Sequence, residues 1–388
     1  MSYHAQRFGF SRNLLFSSFL LVLSLPVLAR LWWDLRGGGD PWRQGDWLVN
    51  FGSGPIRRGW FGESIIWMSD ALSVPLLHVT IALQMGLLGL LIALIACIWW
   101  FHDNQRLVFF LLASPAFFMF QWAGDMQTIM RKEILGYLAI SFLLFAAIAP
   151  RGHFLAAFMG LVFFTLGCIG NTLHSLKILP FLIGIYFLFL QGRLSRAQGL
   201  VLAGIAAFMS VFWMGYSLQF NEVAELSGMC AKLVSRGMES SICDGAIRWL
   251  VTDEVNHGQQ VAALINRESV MRYSMVSALA AVPAIAAYWM FREKLIVTTL
   301  IVVAVVPIIP LYVVTTDWGR WLSIIYTSLI FLILQAHAAK KLTLVQQPHI
   351  AVVSFMFFAA IMVTPHGTLG NPNGNVIASL FEAITAFL

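Results

Sequence analysis

The sequence predicts an all-α polytopic membrane protein with about eleven transmembrane spans. Three observations carry that reading. The 388 residues are 59% hydrophobic, with a mean hydropathy of +0.80, where a soluble domain is near one half apolar. Only 11% of the residues are charged. Apolar runs long enough to cross a bilayer recur from one end of the chain to the other. The chain is therefore read as a single transmembrane domain, 1–388, whose connections carry the chemistry.

The first span is expected at 13–33. Its stretch RFGFSRNLLFSSFLLVLSLPVLAR has the basic start and apolar run of a signal peptide. The apolar character continues through Trp32 and Trp33, so an uncleaved helix is predicted. The remaining spans are placed at 76–101, 107–122, 134–149, 154–170, 178–191, 199–215, 273–291, 295–313, 322–338 and 349–364. The tail, HGTLGNPNGNVIASLFEAITAFL, reads as turn-rich and then apolar, a re-entrant or interfacial segment.

Charge sets the expected orientation. The connections HDNQR, PRGH, QGRLSRAQ, REK and AKK are short and basic, which places them and the N-terminus in the cytoplasm. Of the 18 carboxylates, only Asp103 and Glu293 then lie inside. The other 16 lie outside, so the chemistry is expected on that face. The predicted setting is a bacterial inner membrane with the active face toward the periplasm. The longest outer connection, 216–272, falls between spans 7 and 8 and reads as a periplasmic loop subdomain with short helices. It contains Cys230 and Cys243. An oxidising compartment permits their disulfide, which would stabilise by roughly 2–3 kcal/mol.

The first outer connection contains DWLVNFGSGPIRRGWFGE, residues 46–63. Glycines and Pro55 make it turn-forming. Such a loop brings backbone amides close to a phosphate, and Arg57 and Arg58 supply forked donors suited to phosphate oxygens. Asp46 and Glu63 bracket the stretch. Arginines that snorkel to lipid headgroups would explain one such residue, but they explain the packed set of carboxylates, glycines and arginines less well. The second connection, AGDMQTIMRKE, brings Asp125, Arg131, Lys132 and Glu133 to a helix mouth. The third, GNTLHSLK, spaces Asn171, His174 and Lys177 three apart, on one face if helical. The fifth, TTDWGRW, sets Asp317 and Arg320 among Trp318 and Trp321, suited to a sugar phosphate or to an interfacial aromatic belt.

Several classes are excluded or disfavoured. No GxxxxGK[ST] suggests ATP binding. No His/Cys spacing suits zinc, and no GxSxG elbow occurs. The apolar spans hold almost no ionisable residue, and no internal repeat is visible, which disfavours an ion-coupled transporter. Nothing points to nucleic acid.

The stretches Asn50–Gly59, Arg131–Glu133 and Asp317–Trp321 resemble motifs of the type NFGxGxxRRG, RKE and DxGRW. Together with the outer loops they resemble bacterial O-antigen or capsule polymerases of the Wzy type, within the broader GT-C integral-membrane glycosyltransferases. The resemblance implies a periplasmic enzyme that joins oligosaccharide repeat units carried on undecaprenyl diphosphate, with neither metal nor cofactor. It implies membrane lipids and a chain-length regulator protein as partners. Carried onto this chain, Arg57, Arg58, Arg131, Lys132 and Arg320 would bind phosphate, and Trp318, Trp321, His174 and Lys177 would contact sugar or lipid. The general base stays open among Asp46, Glu63, Asp125, Glu133 and Asp317, with Asp46 and Asp317 favoured. Asp46 on the first outer loop suits a GT-C enzyme using a polyprenyl-monophosphate donor, whereas the late long loop suits a polymerase or ligase. A non-enzymatic flippase is the third expectation.

Overall fold

A computed structural model describes residues 3–251, 262–368 and 373–387. Among these, all regular structure is helical, with three isolated β-bridges. Asp253, Glu254 and His257 of the long connection lie outside the described residues.

Helix α1 is Tyr3–Arg36. It leads through α2 (Arg43–Trp47) to α3 (Gly59–Leu72) and the long α4 (Leu76–Phe101). Then come α5 (Gln105–Leu112), α6 (Phe118–Gly124), α7 (Glu133–Ile148) and α8 (His153–Gly170). Next are α9 (Leu173–Leu176), α10 (Ile178–Leu190) and α11 (Arg196–Gln219). After the long connection with α12 (Ser227–Val234), the chain forms α13 (Arg267–Met290), α14 (Lys294–Val305) and α15 (Leu311–Val314). It ends with α16 (Trp318–Ala338), α17 (Ile350–Met362) and α18 (Val376–Phe387).

Among the described residues, six helices are long and apolar enough to cross a membrane: α1, α4, α8, α11, α13 and α16. They mark a membrane-embedded protein. Shorter apolar helices, α7, α10, α14, α17 and α18, fill in between them. Burial sorts the long helices. The apolar window of α16 is 78% buried and that of α11 only 22%. Helix α16 is therefore an inner pillar, and α11 presents most of its surface outward. After Glu133, helix α7 is almost wholly apolar and buried over nearly its whole length, as a central helix must be.

Two expected spans are broken. Residues 107–122 form α5 and α6, not one helix. Helix α5 ends at Leu112, with Ala113 at ψ 66°. Pro115 disfavours helical backbone at Ser114, and the Ser114 hydroxyl donates to Ala280 O of α13 at 3.1 Å. Residues 295–313 form α14, a 3-10 turn at Val306–Ile308, and α15. Pro307 and Pro310 there remove two backbone donors. The third connection is not one helix either. Asn171 is extended at φ −160°, and Lys177 lies between α9 and α10.

The long connection spans the gap between α11 and α13 and folds over the first one. Cys230 and Cys243 are joined in a disulfide, with Cα atoms 6.1 Å apart. Gly52 and Gly228 pack backbone on backbone, so close that a Cβ on either would collide with the other's carbonyl. Glycine in the first connection thus serves close packing. Gly54, at φ +106°, also supplies a turn that a side chain would strain.

Candidate functional site

The site is built where α2, the start of α7, α9 and the start of α16 meet. Helix α2 is short and wholly buried, so it needs tertiary anchors. Arg43 supplies them. Its Nε and Nη2 donate to Asp34 of α1, both at 2.7 Å, and Nη2 reaches Asp40 at 2.8 Å. Its Nη1 donates to Met126 O at 2.9 Å, tying α2 to the second connection. Trp47 and Gln84 both donate to Met130 O, at 2.8 and 3.1 Å. Met130 itself is held at φ +54°, and Arg58 at φ +69°. Two non-glycine residues in the left-handed region beside one cluster are the kind of strain that functional sites retain.

These anchors aim Asp46 into a charged cluster with Arg58, Arg131, Lys132, Glu133, Lys177, Asp317 and Arg320. Arg58 Nη1 lies 3.3 Å from Asp46 Oδ1. Arg320 Nη1 donates to Asp317 Oδ2 at 2.6 Å, and its Nη2 donates to Glu133 Oε1. Arg131 lies over the Trp42 ring at 5.3 Å, Lys132 over Phe61 at 5.7 Å, and Lys177 over Tyr137 at 5.4 Å. The Arg320 guanidinium covers Trp321 at 5.4 Å.

The hydrogen-bond accounting is incomplete on the cationic side. Among the described residues, Lys132 Nζ and Lys177 Nζ are buried and reach no hydrogen-bond acceptor, and Asp46 Oδ2 has no donor. Arg131 Nε and Arg320 Nε are likewise unmatched. A buried ammonium without an acceptor is costly, so proteins retain one for a reason. Burial pulls both lysines down to about 8, against the opposing pull of Asp46 and Glu133 on Lys132 and of Glu133 on Lys177. Burial also lowers Arg131. For Asp46, burial raises the carboxyl, but Lys132, Arg58, Arg131 and Arg320 together hold it below its ordinary value. Five cations thus face three carboxylates in one electrostatically connected site.

His174 is neutral there. Burial and Lys177 press it well below its usual range. Its Nε2 donates to Lys132 O at 3.1 Å, leaving Nδ1 as an unmatched acceptor. Gly136 makes room: a Cβ there would lie 2.7 Å from the His174 ring and 2.8 Å from Lys177 Nζ.

Other candidates lie outside the cluster. Glu63 accepts from Lys232 Nζ at 2.6 and 2.7 Å and from Phe51 N at 2.8 Å, joining α3 to α12. Asp125 accepts from Thr128 Oγ1 at 2.6 Å and Gly367 N at 2.7 Å, with His366 3.3 Å away. It fastens the segment after α17. Burial and Arg58 lower Arg57 to about 9, and its acidic neighbour is Glu222 of the long connection. Trp318 donates to Tyr312 O at 2.9 Å, and Trp321 to Thr315 Oγ1 at 2.8 Å, so both indoles brace the start of α16.

Sequence reasoning missed Trp42, Gly136 and the Arg43 clamp. A glycine within a buried, apolar helix was the one signal available for Gly136. Among the described residues, no group of three or more His, Cys, Asp or Glu is placed to hold a metal ion. Comparison of the chain with protein-family models, curated proteins and solved structures gave no match.

Proposed function

We propose that the cluster is the transfer site of a membrane glycosyltransferase that takes its donor glycan from a polyprenyl diphosphate. The observation that carries this reading is the buried surplus of positive charge, with Lys132 and Lys177 lacking acceptors. An anion with several oxygens answers both the charge and the unmatched donors, and a diphosphate fits the excess of two better than a monophosphate.

The acceptor hydroxyl gives its proton to Asp46 Oδ2, the carboxylate oxygen without a donor. The hydroxyl oxygen bonds to the anomeric carbon as the bond to the diphosphate breaks. The electron pair leaves with the diphosphate, where Arg58, Arg131, Lys132, Lys177 and Arg320 stabilise the growing charge. Asp46 alone among cations is a weak base. A bound diphosphate neutralises those cations and returns basicity to the carboxylate, so the base is armed only when donor is present. Glu133 and Asp317, both paired with Arg320, orient that arginine.

In this reading the eleven apolar stretches cross or enter a bacterial inner membrane, the N-terminus is cytoplasmic, and the cluster faces the periplasm. Repeat-unit polymerisation is the favoured reaction. Membranes carrying the protein, supplied with lipid-linked repeat units, should yield a ladder. Asp46→Asn and Lys132→Met should each reduce it about 10²-fold or more while membrane insertion persists. A full ladder from either variant removes that residue from the site. Transfer of one sugar from a monophosphate donor, without a ladder, would mark the single-sugar reaction instead.

A further inference from the structure

A second site lies at the far end of α10 from Lys177. There α10 and α11 enclose a groove of about 380 Å³. Its walls are Leu182, Ile185, Tyr186 and Phe189 of α10 and Leu200 and Ala203 of α11. Tyr186, Phe189 and Leu200 are exposed, so the groove is open to the apolar phase that surrounds these helices.

Its mouth is basic. Arg196 lines the groove at the first turn of α11, which is fixed by the Ser195–Gln198 capping box. Arg193, three residues earlier in the chain, lies 2.6 Å from His153 Nε2, and Arg151 precedes that same end of α8. No carboxylate occurs between Glu133 and Glu222, so α8, α10 and α11 supply no counter-charge. Gln191, hydrogen-bonded to Ala338 O at 3.2 Å, brings the end of α16 with Lys340 and Lys341 to the same region. The nearest sequence acids at this end are Asp103 and Glu293, and Glu293 already accepts from Thr343 N at 2.6 Å. An apolar slot with a guanidinium among its lining residues, and no acid among the described ones, is complementary to an anionic amphiphile.

We propose that this groove binds one anionic phospholipid, its phosphate on Arg196 and one acyl chain between α10 and α11. Gly199 is what keeps the slot open. A Cβ there would meet only Phe189 Cβ, at 3.9 Å, so a larger side chain enters the groove without striking backbone. The site is independent of the charged cluster and of the reaction assigned to it.

The test uses the full chain in detergent, exchanged into phosphatidylglycerol or phosphatidylcholine, with retained lipid counted by native mass spectrometry. Wild type should retain one phosphatidylglycerol through washes that strip phosphatidylcholine. Arg196→Gln should weaken that retention about fivefold, the factor carried by one cationic contact. Gly199→Leu should abolish it, while its melting temperature in phosphatidylcholine stays that of wild type. If Gly199→Leu does not fold, the exposed Arg196 side chain still allows the test. Equal retention of the two lipids, wild-type retention by Arg196→Gln, or equal competition by soluble glycerol phosphate would overturn the proposal.

Discussion

At the scale of the residue, Lys132 and Lys177 set two demands in opposition. Each buried ammonium without an acceptor destabilises the fold that holds it. Lys132→Met or Lys177→Met should therefore raise the melting temperature of the unliganded protein while reducing transfer by about 10²–10³-fold. Loss of both stability and transfer would mean a structural role. The pH dependence has a definite sign. Both lysines lie near 8 in the folded chain, against about 10.4 in an unfolded one. Between those values the unfolded state binds more protons, so these groups make stability rise with pH across that window. At the proposed transfer site anion binding would run the other way, because only the protonated ammoniums attract a diphosphate. The kcat/KM of the transfer should fall above about pH 8 and be flat to the acid side until Asp46 protonates, below its ordinary range. A pH series on wild type and Lys132→Met checks this, since the variant loses part of the alkaline limb.

At the scale of the element, a five-residue helix such as α2 has no stability of its own. It stands because Arg43, only 1% exposed, saturates Asp34 and Asp40. Arg43→Ala would leave Asp34 buried without that partner and should cost about 3–5 kcal/mol, read as lost monodisperse protein on size exclusion. Gly62 of α3 packs on the carbonyl of Val49 with no space for a Cβ, so Gly62→Ala should separate α3 from the turn that follows α2 and its Asp46. Helix positions were legible from apolar runs, because a run long enough to span is also long enough to form a helix. The breaks at Pro115 and at Pro307–Pro310 were not read, although proline is their local cause. The apolar pattern does not change across them, and only the hydroxyl of Ser114 finding Ala280 O shows that the break is used.

At the scale of the whole molecule, the sequence put Asp46, Arg131–Glu133, His174–Lys177 and Asp317–Arg320 in four separate connections, and the fold gathers them in one cluster. Their residue types were legible because charge is scarce in so apolar a chain. Their roles were less so. Glu63 and Asp125 look like Asp46 in sequence, yet Lys232 in one case and Gly367 in the other occupy them, and both partners are more than a hundred residues away. No local pattern encodes such a pairing. The Cys230–Cys243 bridge closes a 13-residue separation within the cover over the first connection. Reducing it should cost about 2–3 kcal/mol, seen as a lower melting temperature in dithiothreitol, with the transmembrane helices unchanged by circular dichroism. One contact bears on time. Helix α18 packs against α1 and α6, so a helix ending at Arg36 completes its packing only with one beginning at Val376. At ordinary synthesis rates those segments leave the ribosome tens of seconds apart. Throughout that interval the first helix has α4 and α6 for protein neighbours, and the face that α18 will cover meets lipid or an insertion chaperone. A stall late in translation would therefore release a chain whose oldest helix still has one face uncovered.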